Sequence, residues 1–133
     1  MFKTFTVNAA VVIGFVLLVS QASAQCVAPK GLNGAWKAND GGTYFVRRLE
    51  SVVFWMGQSA DGGRSWTNVF RGTTDGVTIT GEWADVRGNN GAGTLTLKIN
   101  GKLGVGVNGF DRTGGSGSGF GGQHWFRPCN DTN

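Results

Sequence analysis

Val52-Val53-Phe54-Trp55-Met56-Gly57-Gln58-Ser59-Ala60-Asp61-Gly62-Gly63-Arg64-Ser65-Trp66-Thr67-Asn68-Val69-Phe70 is the stretch whose reading decides the fold. Two runs rich in β-branched and aromatic residues flank a polar segment carrying a glycine pair, the pattern of two strands joined by a tight reversal. Asp61 is placed to accept hydrogen bonds from backbone N–H groups ahead of it, and Gly62 and Gly63 to supply positive φ. Trp66 is expected to open the return strand and fold its ring over the loop. Because side chains alternate along a strand, Val53 and Trp55 share one face while Phe54 and Met56 share the other. Trp66 and Phe70 oppose Val69 in the same way, so both faces of this hairpin are apolar. One face suits a core. The other is either covered by a second layer, such as the glycine-rich loop or the N-terminal segment, or exposed as a patch of the kind that marks binding or self-association.

Ser59-Ala60-Asp61-Gly62-Gly63-Arg64-Ser65-Trp66 also matches the Asp-box pattern and so resembles the hairpins of sialidases and of some small secreted ribonucleases. In those families the box is a hairpin staple remote from the chemistry. The resemblance implies a structural role and carries over no catalytic residue.

Outward from the hairpin the pattern continues. Val77, Ile79 and Trp83 are expected on one face of the next strand, with Thr78, Thr80 and Glu82 on the other; Leu95, Leu97 and Ile99 alternate likewise. Asn100-Gly101 reads as a type I′ turn leading to Leu103, Val105 and Val107. His124 to Arg127 forms the last strand. Upstream, Thr43 to Leu49 is a strand entered through the turn Asn39-Asp40-Gly41-Gly42. No stretch after the N-terminal segment sustains a helical period. About eight short strands separated by turn signals predict an all-β fold, a single antiparallel up-and-down barrel, with a β-sandwich as the alternative. An eight-stranded barrel encloses room for side chains or one small ligand.

The two ends add a compartment. Lys3, the apolar run Ala9–Val19 and Ala22-Ser23-Ala24 form a signal peptide over residues 1–24 with an A-x-A cleavage site, too short to span a membrane. This predicts a secreted or periplasmic protein whose single domain occupies residues 25–133. Cys26 and Cys129 are the only cysteines, and an oxidising compartment favours a disulfide between them. Such a bond requires Cα atoms within about 7 Å and so brings the chain ends together, as barrel closure demands. The formal net charge of +4 falls to +3 without Lys3, and the basic residues are scattered, which argues against a nucleic-acid partner. Glycine is abundant, 24 in the chain, with Gly57, Gly81, Gly104 and Gly106 inside predicted strands, where glycine marks bends and close approaches. Gly104-x-Gly106-x-x-Gly109 and Gly117-x-Gly119-x-x-Gly122 match a dinucleotide string, but neither opens a helix.

Gly34-Ala35-Trp36 resembles the Gly-x-Trp opening of lipocalin and avidin-type barrels, which implies that Trp36 closes the barrel floor. Gly41-Gly42-Thr43-Tyr44-Phe45, Trp55-x-Gly57, Asn68-Val69-Phe70-x-Gly72, Gly81-Glu82-Trp83-Ala84-Asp85-Val86 and Gly119-Phe120-Gly121-Gly122 together resemble a group of small exported proteins to which no activity is assigned. In that group Val86 is followed by Pro-Arg-Gly. Here Arg87-Gly88 follow directly, so that loop differs.

Chemistry-bearing residues are few. Glu82 and Asp85 lie three apart and so point to opposite faces; Asp85 shares the face of Trp83, with Arg47 or Arg87 as expected ion-pair partner. His124 is the sole histidine, so no metal site and no cofactor are expected. The first expectation is a binding protein for a small apolar molecule or a carbohydrate, with Trp36, Tyr44, Arg47, Trp55, Trp83, Asp85 and Phe120 at the site and Phe120 as lid. The second is a small hydrolase using Asp85 with His124 or Arg47. The third is a protein-interaction or protease-inhibitor module, or a self-associating one, acting through the 52–70 hairpin.

Overall fold

The computed structural model describes residues 27–127; the expected signal peptide and both cysteines lie outside the described residues. Eight strands, β1 (Gly34–Ala38), β2 (Thr43–Leu49), β3 (Val52–Gln58), β4 (Thr67–Thr74), β5 (Thr78–Arg87), β6 (Ala92–Lys102), β7 (Gly106–Gly115) and β8 (His124–Phe126), follow one another around a closed barrel. Every neighbouring pair is antiparallel, and Lys37↔Phe126 and Ala38↔Trp125 close β1 onto β8. Closure removes the exposed sheet edges that an open sandwich would have left.

The opening hairpin forms as its residues dictate. Asp61 Oδ1 accepts from Arg64 N at 2.9 Å and Ser65 N at 3.1 Å, and Gly62 and Gly63 take φ of 76° and 83°. Ser59 and Ser65 add hydroxyl donors to the same carboxylate. These bonds favour the charged form, and Asp61 is held well below the usual carboxylate range, most by the Ser59 hydroxyl and next by that of Ser65. Trp66 departs from expectation. β4 begins one residue later, and the Trp66 ring turns toward the β1–β2 turn, where its centroid lies 6.0 Å from that of Tyr44.

Two strand readings are corrected. Asn100-Gly101 is not the reversal: β6 runs on to Lys102, with a register shift at Asn100/Gly101, and the chain turns at residues 103–105. Pairing with β7 continues past the Asn-Gly signal, and the shift lets Val107 and Phe110 both point inward. Val77 does not share the inward face of Ile79 and Trp83. It lies exposed in the β4–β5 turn, where its N–H donates to Asp75 Oδ1 at 2.9 Å rather than to a neighbouring strand.

The interior is filled with rings. Trp36, Tyr44, Trp55, Phe70, Trp83, Phe110, Phe120 and Trp125 are all buried, with Trp55 stacked on Phe70 at 4.1 Å and Phe110 on Trp125 at 5.1 Å. Strand glycines make this packing feasible. A Cβ at Gly72 would stand 2.6 Å from Phe70 Cζ, and one at Gly57 only 2.5 Å from Tyr44 Cε1. The bulkiest side chains therefore lie over positions with none.

Candidate functional site

One end of the barrel, its mouth, is built by the β1–β2, β3–β4, β5–β6 and β7–β8 connections. Asp40 stands in the first of these. Its Oδ1 accepts from Gly42 N at 2.9 Å, an Asx-type turn, and its Oδ2 accepts from Tyr44 Oη at 2.5 Å. Burial, then the hydrogen bond to Asp40 and its charge, push the Tyr44 phenol far above its ordinary value; the Asp85 charge adds to this and an Asn68 hydrogen bond opposes it. Asn68, buried at the start of β4, accepts from Trp55 Nε1 through its Oδ1 at 3.0 Å. Asp85, near the end of β5, accepts from Gly91 N through Oδ2 at 2.9 Å. Asp40, Trp66, Asn68, Asp85, Asn89, Gly119, Phe120 and Gly121 surround a pocket of about 110 Å³.

Phe120 forms the floor of that pocket. The β7–β8 loop carries it inward, to 4.9 Å from Trp83 and 6.2 Å from Trp55 between ring centroids. Rather than lying over an enclosed cavity, Phe120 occupies the space between the tryptophans. Of the expected site residues, Asp85 and Phe120 line this pocket, and Tyr44, Trp55 and Trp83 are buried against the Phe120 ring.

Trp36 and Arg47 do not. Trp36 packs near the opposite end, where its Nε1 donates to Leu32 O at 2.7 Å and the Arg127 guanidinium lies 4.9 Å from its ring. Arg47 is exposed on the outer surface, paired in register with Phe54. Neither Arg47 nor Arg87 forms an ion pair with Asp85, which takes a backbone donor instead. His124 is not beside Asp85 either. It projects outward and meets Asp111 through Nδ1 at 2.8 Å, while Asn100 Nδ2 donates to the other Asp111 oxygen, also at 2.8 Å. The His124 hydrogen bond first, and that of Asn100 next, hold the Asp111 carboxyl below its ordinary value. Among the described residues no cluster of three His, Cys, Asp or Glu stands ready for a metal ion.

No family model, no curated protein and no solved structure matches this chain.

The second concave feature lies outside the barrel. Phe54, Met56 and Val69 point outward and stand 37%, 43% and 40% exposed, with no other described segment over them. An open groove of about 780 Å³ runs across β3 to β6, lined by Phe54, Val69, Arg71, Glu82, Ala84, Ala92, Gly93 and Thr94, with buried rings beneath. Sequence reasoning missed several of these residues. Asp40 read only as a turn residue, Asn68 only as part of the hairpin, Asn89 drew no reading, and Ala84, Ala92 and Gly93 carry no chemical signature. The one available signal was the Asp-Gly-Gly turn four residues from a tyrosine in the next strand.

Proposed function

We propose that this chain is an exported, non-catalytic binding protein that takes a small polyhydroxylated molecule, the end of a glycan, at the mouth of its barrel. The observation that carries the reading is the single pocket in which Asp40, Asn68, Asp85 and Asn89 surround Trp66 and Phe120. Carboxylate and amide oxygens accept from hydroxyl groups, and aromatic rings receive the C–H faces of a sugar. At about 110 Å³ the pocket has the room of roughly four waters at ~30 Å³ each, so a sugar enters by an edge or its terminal hydroxymethyl group. An enclosed apolar ligand has less support, because Phe120 and the tryptophans already fill the interior. A hydrolase built on Asp85 and His124 has less support too, because His124 faces outward toward Asp111. Export and a Cys26–Cys129 disulfide belong to the same reading. They rest on the signal-like segment and the cysteine pair, and intact mass of the exported protein checks both.

The binding test is a titration with mono- and oligosaccharides, followed by tryptophan fluorescence and calorimetry. A saturable signal from a sugar is expected, with Asp85→Asn retaining part of the affinity because an amide oxygen still accepts. No response to any sugar, with a saturable response to a quaternary amine that Asp85→Asn abolishes, would replace the sugar by a cation held through charge and ring faces.

A further inference from the structure

The outer face of β3–β6 divides lengthwise into two unlike halves. Register sets Met56 beside Val69, Val69 beside Ala84, and Ala84 beside Ala92; the adjacent row runs Phe54, Arg71, Glu82, Thr94. In the apolar row β3 and β4 carry the large side chains, whereas β5 and β6 carry alanines. In the adjacent row Phe54 faces outward at one end and Thr94 at the other. Phe54 and Val69, with Met56 next to them, form a ridge that is the tall wall of the open groove, and its low side runs over Ala84, Ala92 and Gly93. The boundary between ridge and groove lies between β4 and β5.

We propose that a second copy of this chain docks on this face about a two-fold axis that lies in the interface, parallel to the strands and midway between β4 and β5. Such an axis exchanges β4 with β5 and β3 with β6. Val69 then rests on Ala84 of the other copy, Met56 on its Ala92 and Phe54 on its Thr94, and each contact occurs twice. Two-fold interfaces require this kind of self-complementarity. The charges obey the same operation. Arg71 and Glu82 are cross-strand neighbours, yet they form no ion pair, and the Arg71 guanidinium lies 6.0 Å from the Phe54 ring instead. Across the axis Arg71 faces Glu82 of the other copy, and Glu82 faces its Arg71. A small apolar molecule in the groove would leave the ridge uncovered; a second copy covers both.

The size of the face sets the strength. Four strands about 4.8 Å apart and seven residues of about 3.4 Å each give a face near 19 Å by 24 Å, or roughly 450 Å² per partner. That is about half of a standard interface, so the dimer is weak and reversible. Rotation about an axis parallel to the strands leaves both mouths at the same end of the dimer, splayed apart by about twice the strand tilt of ~40°. If the mouths bind glycan ends, the dimer engages a surface with two sites at once. The dimer itself rests only on the outer face.

Sedimentation velocity of the exported protein over a range of concentrations tests this. A monomer–dimer equilibrium is expected. Arg71→Glu or Glu82→Arg alone places like charges together twice and weakens it about ten-fold or more, and the double reversal recovers affinity. Ala92→Arg fills the groove from a surface position and abolishes the dimer, with an unchanged circular dichroism spectrum showing that the fold is kept. A protein that stays monomeric at its highest soluble concentration overturns the proposal. So does a dimer indifferent to Ala92→Arg, which uses another surface, and so does a double reversal that recovers nothing.

Discussion

Arg112 holds Phe120 in two ways: its Nη1 donates to the Phe120 carbonyl at 3.2 Å, and its guanidinium lies 5.8 Å from the Phe120 ring. The grip matters because the loop around Phe120 is almost entirely glycine and serine. From Gly115 to Gly119 it is exposed and contributes no side chain to the core, so Phe120 is its anchor. Phe120→Ala leaves a void among Tyr44, Trp55, Trp83 and Trp125 and is expected to cost about 3–5 kcal/mol. Urea denaturation followed by tryptophan fluorescence measures the loss. The same variant is expected to bind indole or benzene more tightly than the parent, because the void it opens beneath the mouth pocket is walled by aromatic rings.

Two core tryptophans differ in what their indole nitrogen does. Trp36 Nε1 donates to Leu32 O, whereas Trp125 Nε1 is buried without a hydrogen-bond partner among the described residues. Replacing either by Phe removes a similar volume. Trp36→Phe also orphans a carbonyl and weakens the contact with Arg127, so it is expected to be the costlier change by about 1–3 kcal/mol. Equal losses in chemical denaturation would show that the Trp36 bond contributes nothing net.

Tyr44 is the only tyrosine in the chain, so its ionisation can be read from tyrosinate absorbance without overlap from another tyrosine. The fold disfavours the phenolate, chiefly by burial and then through Asp40. The folded value therefore lies above the unfolded one of about 10, and the stability it contributes is fully present below pH 10. As pH rises beyond that, the unfolded chain ionises first and stability falls. Tyr44→Phe is expected to flatten this alkaline limb, while costing about 1–2 kcal/mol at neutral pH for the lost Asp40 bond. An ordinary tyrosine titration in the folded protein would contradict it.

Asp61 works in the opposite direction. Its carboxyl is held low by hydrogen bonds from Ser59, Ser65 and backbone amides. The stability this contributes is present above the unfolded carboxylate value of about 3.9 and is lost as pH falls through the folded value. Asp61→Ala is expected to lower the denaturation midpoint at pH 7. The gap from the parent should narrow as the solution is acidified below about pH 4. A gap independent of pH would mean that geometry, and not charge, makes the turn.

The strand order and the inward residues were legible because alternation with period two is a local property. Trp55, Leu95, Leu97 and Ile99 announce their face by spacing alone, and Asp61-Gly62-Gly63 announces its turn by backbone chemistry. Asn100-Gly101 misled for a physical reason: a turn signal yields when pairing on both sides can continue through a bulge. The mouth was half legible. Asp85 could be placed at a rim by its parity with Trp83, but Asp40 meets Tyr44 only because β1 and β2 are brought together by their turn. His124 finds Asp111 rather than Asp85 because β7 and β8 are neighbours.

What the residues determined by themselves was an all-β chain with a doubly apolar hairpin and glycines where rings must pass. Which hairpin face stayed outside was decided only by closure of the barrel, because inside and outside exist only after β1 meets β8. Closure turned Val53 and Trp55 inward, filled the interior with Phe120, and left Phe54 and Met56 beside the alanines of β5 and β6. The pairing of ridge with groove is a matter of register between strands. No single strand carries it.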